Sequence, residues 1–273
     1  MQIRFLGVRG SISAPDSRTR FKIGCNTSCI ELLNNSGQRL ILDMGTGLVK
    51  LNNYYRENPK ETDIYFVLSH THIDHIIGFP YFAPIFIPKY NIHIFAPDMP
   101  RYSVKEVFEN LMSTPFFPVN LKELKASIHF HFLTEKKTVK INGFDIYPRA
   151  HIHPITCYGY RINADNRCFS YLTDIEHFDR FDERAVETAE GSDAMVHDSQ
   201  YFPREFPQYR HYGHSTYEEA IKVKQLAQSR KLYLFHYDPL RTDDDQYNML
   251  ELAKEIDSNV ELACEGDYIK IGG

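Results

Sequence analysis

The chain has 273 residues, of which 42% are apolar and 25% are charged, a balance typical of a globular protein. Its net charge of −5 argues against general affinity for nucleic acid or a membrane surface, because phosphate groups require clustered Lys and Arg. No apolar run approaches the ~20 residues of a membrane span. We therefore expect a single domain over residues 1–273, no membrane partner, and a substrate other than nucleic acid.

The cysteines predict a reducing compartment. There are five of them, an odd number, and no C-x-x-C pair occurs. A disulfide framework is therefore not expected, and a cytoplasmic location fits best.

Apolar runs and alternating patterns predict strands along the whole chain, at residues 2–8, 29–33, 39–43, 64–68, 91–95, 128–133, 139–141, 144–148, 158–162, 168–173, 194–197, 232–235, 260–262 and 268–271. Helical periodicity and capping residues predict helices at 48–56, 103–112, 182–189, 216–228 and 243–256. Five prolines between residues 80 and 100 exclude one long helix there. Strands with interspersed helices suit two sheets covered by helices on their outer faces.

The most informative segment is His70-Thr71-His72-Ile73-Asp74-His75, which directly follows the strand predicted at residues 64–68. Three imidazoles and one carboxylate lie within six positions, with the spacing H-x-H-x-D-H. Neutral imidazole and carboxylate are ligands for zinc, iron and manganese. Because a strand end holds such side chains rigidly, the segment predicts a metal site.

Further residues of the same kind follow other predicted strands: His153, Asp174, His236 and the pair His197-Asp198. Each of these residues alone is weak evidence for a metal site, because Asp and His at strand ends also cap loops. Their repeated placement after apolar strands indicates one shared rim. His151 lies two residues before His153 and is the competing candidate.

The set of motifs resembles the metallo-β-lactamase-fold hydrolases over nearly the whole chain. The H-x-H-x-D-H segment is the most specific part of the resemblance, and Asp43 in Leu42-Asp43-Met44-Gly45 resembles the early strand-end Asp that supports the site. The fold that this resemblance implies is an α/β four-layer αββα sandwich of two mixed sheets with helices on the outer faces.

The resemblance also implies a site with two divalent metal ions, zinc or iron/manganese. One metal would be held by His70, His72 and His153. The second would be held by Asp74, His75 and His236, and Asp174 would bridge the two. His153 is preferred to His151 because residues 153–160 are similar to the segment that ribonuclease Z relatives carry after this ligand.

A second signature indicates the ribonuclease Z-like, phosphodiesterase-like branch of the superfamily. Gly213-His214-Ser215-Thr216, before a predicted helix and strand, resembles the segment in which a His donates a proton to the leaving group. Residues 5–11 and 26–29 are similar to a bacterial phosphodiesterase-like branch. The chain has no long Gly/Pro-rich inserted arm, and residues 235–239 differ from the ribonuclease Z pattern, which argues against transfer RNA and β-lactams as substrates.

The predicted function is therefore a binuclear metal-dependent hydrolase of a small phosphodiester or cyclic nucleotide, acting through a metal-bridging hydroxide. Asp74 and His214 are the catalytic candidates. Four residues are candidates for orienting ligands or contacting substrate: Asp43, His197, Asp198 and His211. Arg9 and Tyr237 are further candidates for substrate contact, with a role at the protein surface as the alternative.

The alternative function is a di-iron, dioxygen-binding sensor or redox protein on the same fold, since residue types do not fix the metal. Flavodiiron relatives typically place a Glu where His72 stands, which favours hydrolysis. Phe116, Phe117 and residues 79–88 are expected to pack, to line a pocket or to form a homodimer contact.

Overall fold

The strands form two sheets in a computed structural model that describes residues 1–14, 22–178, 181–266 and 268–271. The first sheet contains β1 (Gln2–Gly7), β2 (Cys29–Leu33), β3 (Arg39–Leu42), β4 (Asp63–Val67), β5 (Asn91–Pro97), β6 (Ser127–Leu133) and β14 (Tyr268–Lys270). The second contains β7 (Val139–Ile141), β8 (Phe144–His151), β9 (Cys157–Ala164), β10 (Arg167–Leu172), β11 (Ala194–Asp198), β12 (Leu232–Phe235) and β13 (Val260–Leu262). The helices are α1 (Leu51–Glu57), α2 (Val104–Leu111), α3 (Glu183–Ala189), α4 (Tyr217–Leu226) and α5 (Asp243–Ile256).

Each sheet is half antiparallel and half parallel. The first has the order β14-β1-β2-β3-β4-β5-β6, with antiparallel pairs up to β3 and parallel pairs from β3 onward. The second has the order β13-β12-β11-β10-β9-β8-β7, with parallel pairs from β13 to β10 and antiparallel pairs from β10 to β7. The carboxyl ends of β10, β11 and β12 therefore lie at one edge.

The two sheets share the larger of two apolar cores, in which Phe5 and Leu32 of the first sheet pack with Ile162 and Leu172 of the second. Helices α3, α4 and α5 contact the second sheet. Side chains of α1 and α2 form the smaller core with the other face of the first sheet, through residues such as Phe108. The predicted four-layer αββα sandwich of two mixed sheets is confirmed.

The predicted helix at residues 48–56 is wrong in its first turn. Residues Thr46–Lys50 form a 3-10 helix, and α1 begins only at Leu51. Gly47 lies directly against the backbone of Leu6, where an added Cβ would come within 2.5 Å of the Leu6 carbonyl. Close contact with β1 therefore constrains this turn, and a sequence pattern does not register that contact.

The other four predicted helices are present, and three of them begin one residue later than their predicted first residue. Ser103, Asp182 and Thr216 are N-cap residues whose side chains accept hydrogen bonds from the first turn. Ser103 and Thr216 form capping boxes with Glu106 and Glu219, which satisfies backbone donors at each helix start.

No helix in the part of the chain that the structure describes combines the length and the apolar character needed to cross a membrane. Cys29, Cys157 and Cys168 are buried free thiols.

Candidate metal centre

The predicted ligands meet at one rim between the two sheets because each follows a strand. His70 and its neighbours follow β4, and His153 follows β8 by two residues. Asp174 follows β10 by two residues, and His236 directly follows β12. The parallel strands deliver their carboxyl ends to the same edge, so residues far apart in sequence become neighbours.

The first group of ligand atoms contains His70, His72, His153 and Asp174, and all four atoms lie within 4.8 Å of one another. His72 Nδ1 is 3.0 Å from His153 Nε2. Asp174 Oδ1 is 3.7 Å from His70 Nε2 and 3.9 Å from His153 Nε2. Three imidazole nitrogens and one carboxylate oxygen thus converge on one point, a donor set suited to zinc or iron.

The second group contains Asp74, His75 and His236. Asp74 Oδ2 is 3.2 Å from the Nε2 atoms of both His75 and His236. The other oxygen of Asp174, Oδ2, is 3.1 Å from His75 Nε2 and 3.2 Å from His236 Nε2. One carboxylate therefore faces the first group with Oδ1 and the second group with Oδ2, as expected of a bridging ligand.

Asp43 fixes the orientation of two ligand imidazoles. Its Oδ2 accepts a hydrogen bond from His75 Nδ1 at 2.7 Å and another from Ser69 Oγ at 2.8 Å. The Ser69 hydroxyl is in turn 3.0 Å from His70 Nδ1 and can accept its proton. Both imidazoles thereby direct Nε2 toward Asp174, and Asp43 supports the site as the resemblance implied.

Backbone and amide oxygens orient two more imidazoles. His153 Nδ1 donates to the Gly213 carbonyl at 3.0 Å, and His236 Nδ1 donates to Gln200 Oε1 at 3.2 Å. Both rings therefore direct the lone pair of Nε2 toward the centre of the site. Gly10 permits this packing, because an added Cβ would come within 2.3 Å of the His236 ring.

The charges of the site favour a bound cation. Burial raises the pKa values of Asp74 and Asp174, but the surrounding imidazoles outweigh burial and hold both pKa values well below normal. Burial lowers the pKa values of His70 and His153, the latter to about 4, so these imidazoles are neutral. Ionised carboxylates and neutral imidazoles are the protonation states that metal binding requires. His75 differs, because Asp174, Asp74 and Asp43 raise its pKa well above normal, and its extra proton would have to leave when a cation binds.

One orphaned atom decides the fit. His70 is fully buried, its Nδ1 faces Ser69, and its Nε2 has no hydrogen-bond partner among the described residues. A buried polar nitrogen without a partner is costly and needs an explanation. A metal ion facing Asp174 Oδ1 accounts for it, so the residues present fit the divalent metals that the sequence predicted.

His214 lies at the rim beside the second group. Its Nδ1 donates to Asp198 Oδ2 at 2.7 Å, and its ring stacks on His236 with centroids 5.0 Å apart. Burial alone would lower the His214 pKa, but Asp198 raises it to about 9. A third group of ligand atoms lies here, all within 4.8 Å of one another and thus close enough to share a cation. They belong to Asp174, Asp198, His214 and His236.

Two of the other predicted residues differ from expectation in their role. His197 does not face the ligands: its Nδ1 donates to the Asp198 carbonyl at 2.7 Å, and its Nε2 is 3.2 Å from His177 Nε2. His211 is exposed, and its ring lies against Phe178 with centroids 5.3 Å apart. His197 thus supports the backbone of Asp198, and the His211 ring packs against Phe178.

The prediction that Arg9 and Tyr237 contact substrate is wrong. Arg9 is fully buried and donates to the carbonyls of Gly24 at 2.8 Å and Arg241 at 2.9 Å. The Tyr237 hydroxyl is also buried and donates to the Ala263 carbonyl at 3.2 Å. Both side chains join segments of the fold beneath the site.

His151, the competing candidate for the third imidazole, lies away from the ligand atoms. It is buried, and neither ring nitrogen has a hydrogen-bond partner in the part of the chain that the structure describes. Its Nδ1 is 3.9 Å from Asp182 Oδ2. Because β8 ends at His151, the two residues that follow carry the chain to the rim and place His153 there.

Sequence reasoning missed three residues that hold the site together: Ser69, Gln200 and Glu176. Glu176 accepts hydrogen bonds from the backbone nitrogens of His211 at 2.7 Å and Gly213 at 2.8 Å, which fixes the loop before His214. Each lies within two residues of a predicted residue, His70, Asp198 or Asp174. Their position next to predicted residues could have drawn attention to them, but it does not show which atoms they bind.

The strand ends that carry the ligands have an uncommon backbone. Asp43, Asp174 and His236 have φ values of 57°, 52° and 61°, in the left-handed region. Such conformations cost of order 1–3 kcal/mol each and occur most often at functional sites. Here they turn the side chains from the strand direction toward the rim.

The comparisons with known proteins agree with this geometry. The family model of the β-lactamase superfamily domain matches residues 38–237. The chain belongs to this family. As the sequence predicted, it is a metal-dependent hydrolase, and its sheets have the metallo-β-lactamase fold.

Individual relatives are more distant. A protein named Ribonuclease Z from Bacillus cereus (strain AH187) is 23% identical over 320 residues and covers 97% of both chains. The metallo-β-lactamase fold protein YhfI from Bacillus subtilis is 20% identical, with a TM-score of 0.74 and 98% of each chain covered. A diphosphatase from the PhnP family is 17% identical, with a TM-score of 0.70 and coverage of 98% and 97%. At these low identities, the two structural similarities show a shared fold and no more.

Proposed function

We propose that this protein is a binuclear metal-dependent phosphodiesterase acting on a small phosphodiester or cyclic nucleotide. The observation that supports it most is the placement of Asp174, whose two oxygens face two separate sets of imidazoles. A second support is an ionisable imidazole, His214, at the rim of the same centre.

The proposed ligands are the seven residues expected from the resemblance. His70, His72 and His153 would hold one cation, Asp74, His75 and His236 the other, and Asp174 both. When bound, two such cations supply a hydroxide at neutral pH and positive charge for phosphate oxygens. Zinc, iron and manganese all suit these donors.

His214 is the proposed proton donor. Its Nδ1 is engaged by Asp198, so the proton available to substrate is the one on Nε2. With a pKa of about 9, the ring carries both protons at neutral pH. That Nε2 proton would pass to the oxygen that leaves when the P–O bond breaks, which avoids release of a free alkoxide.

Asp198 positions this acid. Its Oδ1 accepts hydrogen bonds from the backbone nitrogens of Gln200 and Ser215, both at 3.1 Å, while Oδ2 binds His214. The carboxylate is fully buried, so its negative charge is poorly screened and favours the imidazolium form. Asp74 is proposed as a metal ligand. The Ser11 backbone nitrogen donates a hydrogen bond to its carboxylate at 2.8 Å, which fixes the position of this ligand.

The substrate class has support from the relatives named Ribonuclease Z, since ribonucleases cleave phosphodiester bonds. Several relatives are named Ribonuclease Z, so the expectation that nucleic acid is not the substrate stays a prediction. A net charge of −5 favours a small substrate over a long polyanion. The cytoplasmic location, the single domain and the possible homodimer also stay predictions.

The first test is hydrolysis of bis(p-nitrophenyl) phosphate by protein loaded with zinc or manganese after removal of its native metal. We expect metal-dependent turnover with two metal ions per chain by elemental analysis. Absence of turnover with every metal, together with a visible absorption band that changes on exposure to air, would instead support the di-iron alternative.

The second test replaces His214 by Ala and compares two leaving groups. We expect turnover of a 2′,3′-cyclic nucleotide, whose leaving oxygen is an alkoxide, to fall by about 10²–10⁴-fold. Turnover of bis(p-nitrophenyl) phosphate should fall much less, because nitrophenolate needs no proton to leave.

The control for this variant is His129→Ala, an exposed imidazole on β6. It should change neither activity nor metal content. Loss of a metal ion from the His214→Ala protein would identify His214 as a ligand, and equal losses with both substrates would reject the role of proton donor.

A further inference from the structure

A cavity of about 470 Å³ lies beside the metal-binding segment. Nine of its eleven lining residues are apolar or aromatic, and the other two, Thr71 and Asn110, are uncharged. Its volume falls within the range of small-molecule sites, which is roughly 300–1,000 Å³. The cavity is therefore large enough for an aromatic ring system and unsuited to a charged group.

The cavity and the metal centre are built from the same loop. Thr71 and Ile73 line the cavity, whereas the side chains of His70, His72 and Asp74 belong to the groups of ligand atoms. The backbone at His72 is extended, with φ −60° and ψ 152°, so successive side chains point to different sides. A group bound in the cavity would be separated from the metal centre by one thickness of this loop.

The opposite wall is formed by α2 and the residues after it. Val104 and Phe108 of this helix are buried in the smaller core, and Val107 and Leu111 are half-buried, pack against that core and also line the cavity. Phe108 is held edge-on by Phe79 with ring centroids 4.8 Å apart, which anchors the helix. The wall thus has a fixed inner side, and its half-buried apolar side chains face the cavity.

The rim of the cavity is aromatic. Tyr81 and Phe117 meet edge-to-face with centroids 5.7 Å apart, and Phe116 is 80% exposed. Large exposed aromatic side chains around an apolar cavity are typical of a binding site. Since this rim lies next to the loop that carries the ligands, an apolar substituent of a molecule at the metals would reach the cavity across this loop.

We propose that this cavity binds an uncharged aromatic or aliphatic group of the phosphodiester whose phosphate lies at the metal centre. This inference rests on the proposed function for its substrate. The two sites suit different parts of such a substrate. The charged phosphate would lie with the cations, and the uncharged group would contact Val107, Leu111 and the aromatic rim. The cavity therefore sets a preference for diesters with one large apolar substituent.

The test compares two diesters with the same leaving group, methyl p-nitrophenyl phosphate and phenyl p-nitrophenyl phosphate. We expect the protein to prefer the phenyl compound in kcat/KM by about tenfold or more, as is usual for a group that fills an apolar pocket. Leu111→Ala and Val107→Asp should each reduce that preference, because kcat/KM for the phenyl compound should fall more than kcat/KM for the methyl compound.

The matched controls are Leu226→Ala and Leu226→Asp, at an exposed leucine on α4. These should leave the preference intact. Equal use of the two diesters by the unmodified protein, or an equal effect of the cavity variants on both, would overturn the inference.

A binding measurement separates failure of the cavity from failure of the proposed function. The neutral fluorophore N-phenyl-1-naphthylamine should bind the unmodified protein with a rise in fluorescence, and Val107→Asp should abolish the rise. Binding without hydrolysis of any diester would reject the phosphodiesterase and, with it, the assigned occupant. If instead the unmodified protein is a dimer and Val107→Asp makes it a monomer by light scattering, the cavity is an interface between two copies and the inference is wrong.

Discussion

Two groups of buried histidines lie close together in this protein, and they differ in what faces the rings. In the metal centre, carboxylate oxygens of Asp74 and Asp174 lie 3.1–3.2 Å from imidazole nitrogens. In the second group, which we call the inner histidine group and which consists of His151, His177 and His197, imidazole faces imidazole. His177 Nε2 and His197 Nε2 are 3.2 Å apart.

The pKa values show the consequence. Burial lowers the pKa of His177 to about 2 and that of His197 to about 4, so both rings are neutral. His75 is just as deeply buried, but Asp174, Asp74 and Asp43 together raise its pKa well above normal. Burial alone makes a histidine a neutral core residue, and facing carboxylates make it part of a site that attracts positive charge.

The nearest carboxylate to the inner histidine group is used elsewhere. Asp182 caps α3 and binds the guanidinium of Arg184 at 2.8 Å, while His151 Nδ1 remains 3.9 Å away. In the described residues, the three groups of ligand atoms near enough to share a cation all belong to the metal centre. Histidine content is therefore a poor guide to metal binding without the carboxylates.

The largest effect on metal content and activity is expected from removing the carboxylate that faces both ligand groups. Asp174→Asn keeps the shape and removes the charge that faces both groups, so we expect loss of at least one metal ion and a fall in activity of more than about 100-fold, beyond the effect of residues that only orient ligands. Elemental analysis and turnover of bis(p-nitrophenyl) phosphate measure both. Asp182→Asn is the control and should retain both metals; full metal occupancy in Asp174→Asn would contradict the bridge.

A second comparison uses two histidines that are neighbours in sequence. His153→Ala removes a nitrogen from the first ligand group, and we expect one metal ion to be lost. His151→Met should keep both metals and lose little stability, because it replaces two unpartnered buried nitrogens by a side chain of similar volume. Metal content and thermal unfolding distinguish the pair, and loss of metal from the His151 variant alone would reverse the assignment.

Asp198 links the two groups, because His197 binds its backbone and His214 binds its side chain. Asp198→Asn should lower the His214 pKa from about 9 toward its ordinary value. The acid must be protonated to act, so the fall in activity at high pH should begin at a lower pH than in the unmodified protein. We expect a loss of about 10–100-fold at neutral pH; an unchanged pH profile would reject the coupling.

The smallest expected effect concerns stability and pH. The folded-state pKa values of His177 and His197 lie below the unfolded value of ~6.5, so the unfolded chain takes up protons first as pH falls. Stability from these neutral rings is therefore present above pH ~6.5 and is lost on the way down to about 4 for His197 and about 2 for His177.

His177→Phe should remove one of these protons from the balance. In urea unfolding of metal-free protein between pH 6 and 5, the free energy of unfolding should fall less steeply with acid, by up to ~1.4 kcal/mol per pH unit. The slope is the quantity to compare, since the variant also changes packing at His197. An unchanged slope would mean that His177 is not a neutral ring in the folded protein.

The sequence by itself predicted the strands, four of the five helices and, together with the resemblance to a known family, the seven candidate ligands. It did so because these features are local: apolar strands end in imidazoles and carboxylates, and the His70–His75 segment carries its spacing within six residues. The same local patterns identified Ser103 and Thr216 near helix starts, although not that these residues are the caps themselves.

Tertiary structure decided which nitrogen of each ligand faces the centre, why His153 and not His151 reaches the rim, and that Arg9 is a buried support. It also supplied Ser69, Gln200 and Glu176 as partners. The physical reason is that hydrogen-bond partners and burial depend on how two sheets are placed against each other. Residues far apart in sequence, such as Asp74 and His236 with a separation of 162 positions, meet only after that packing is complete.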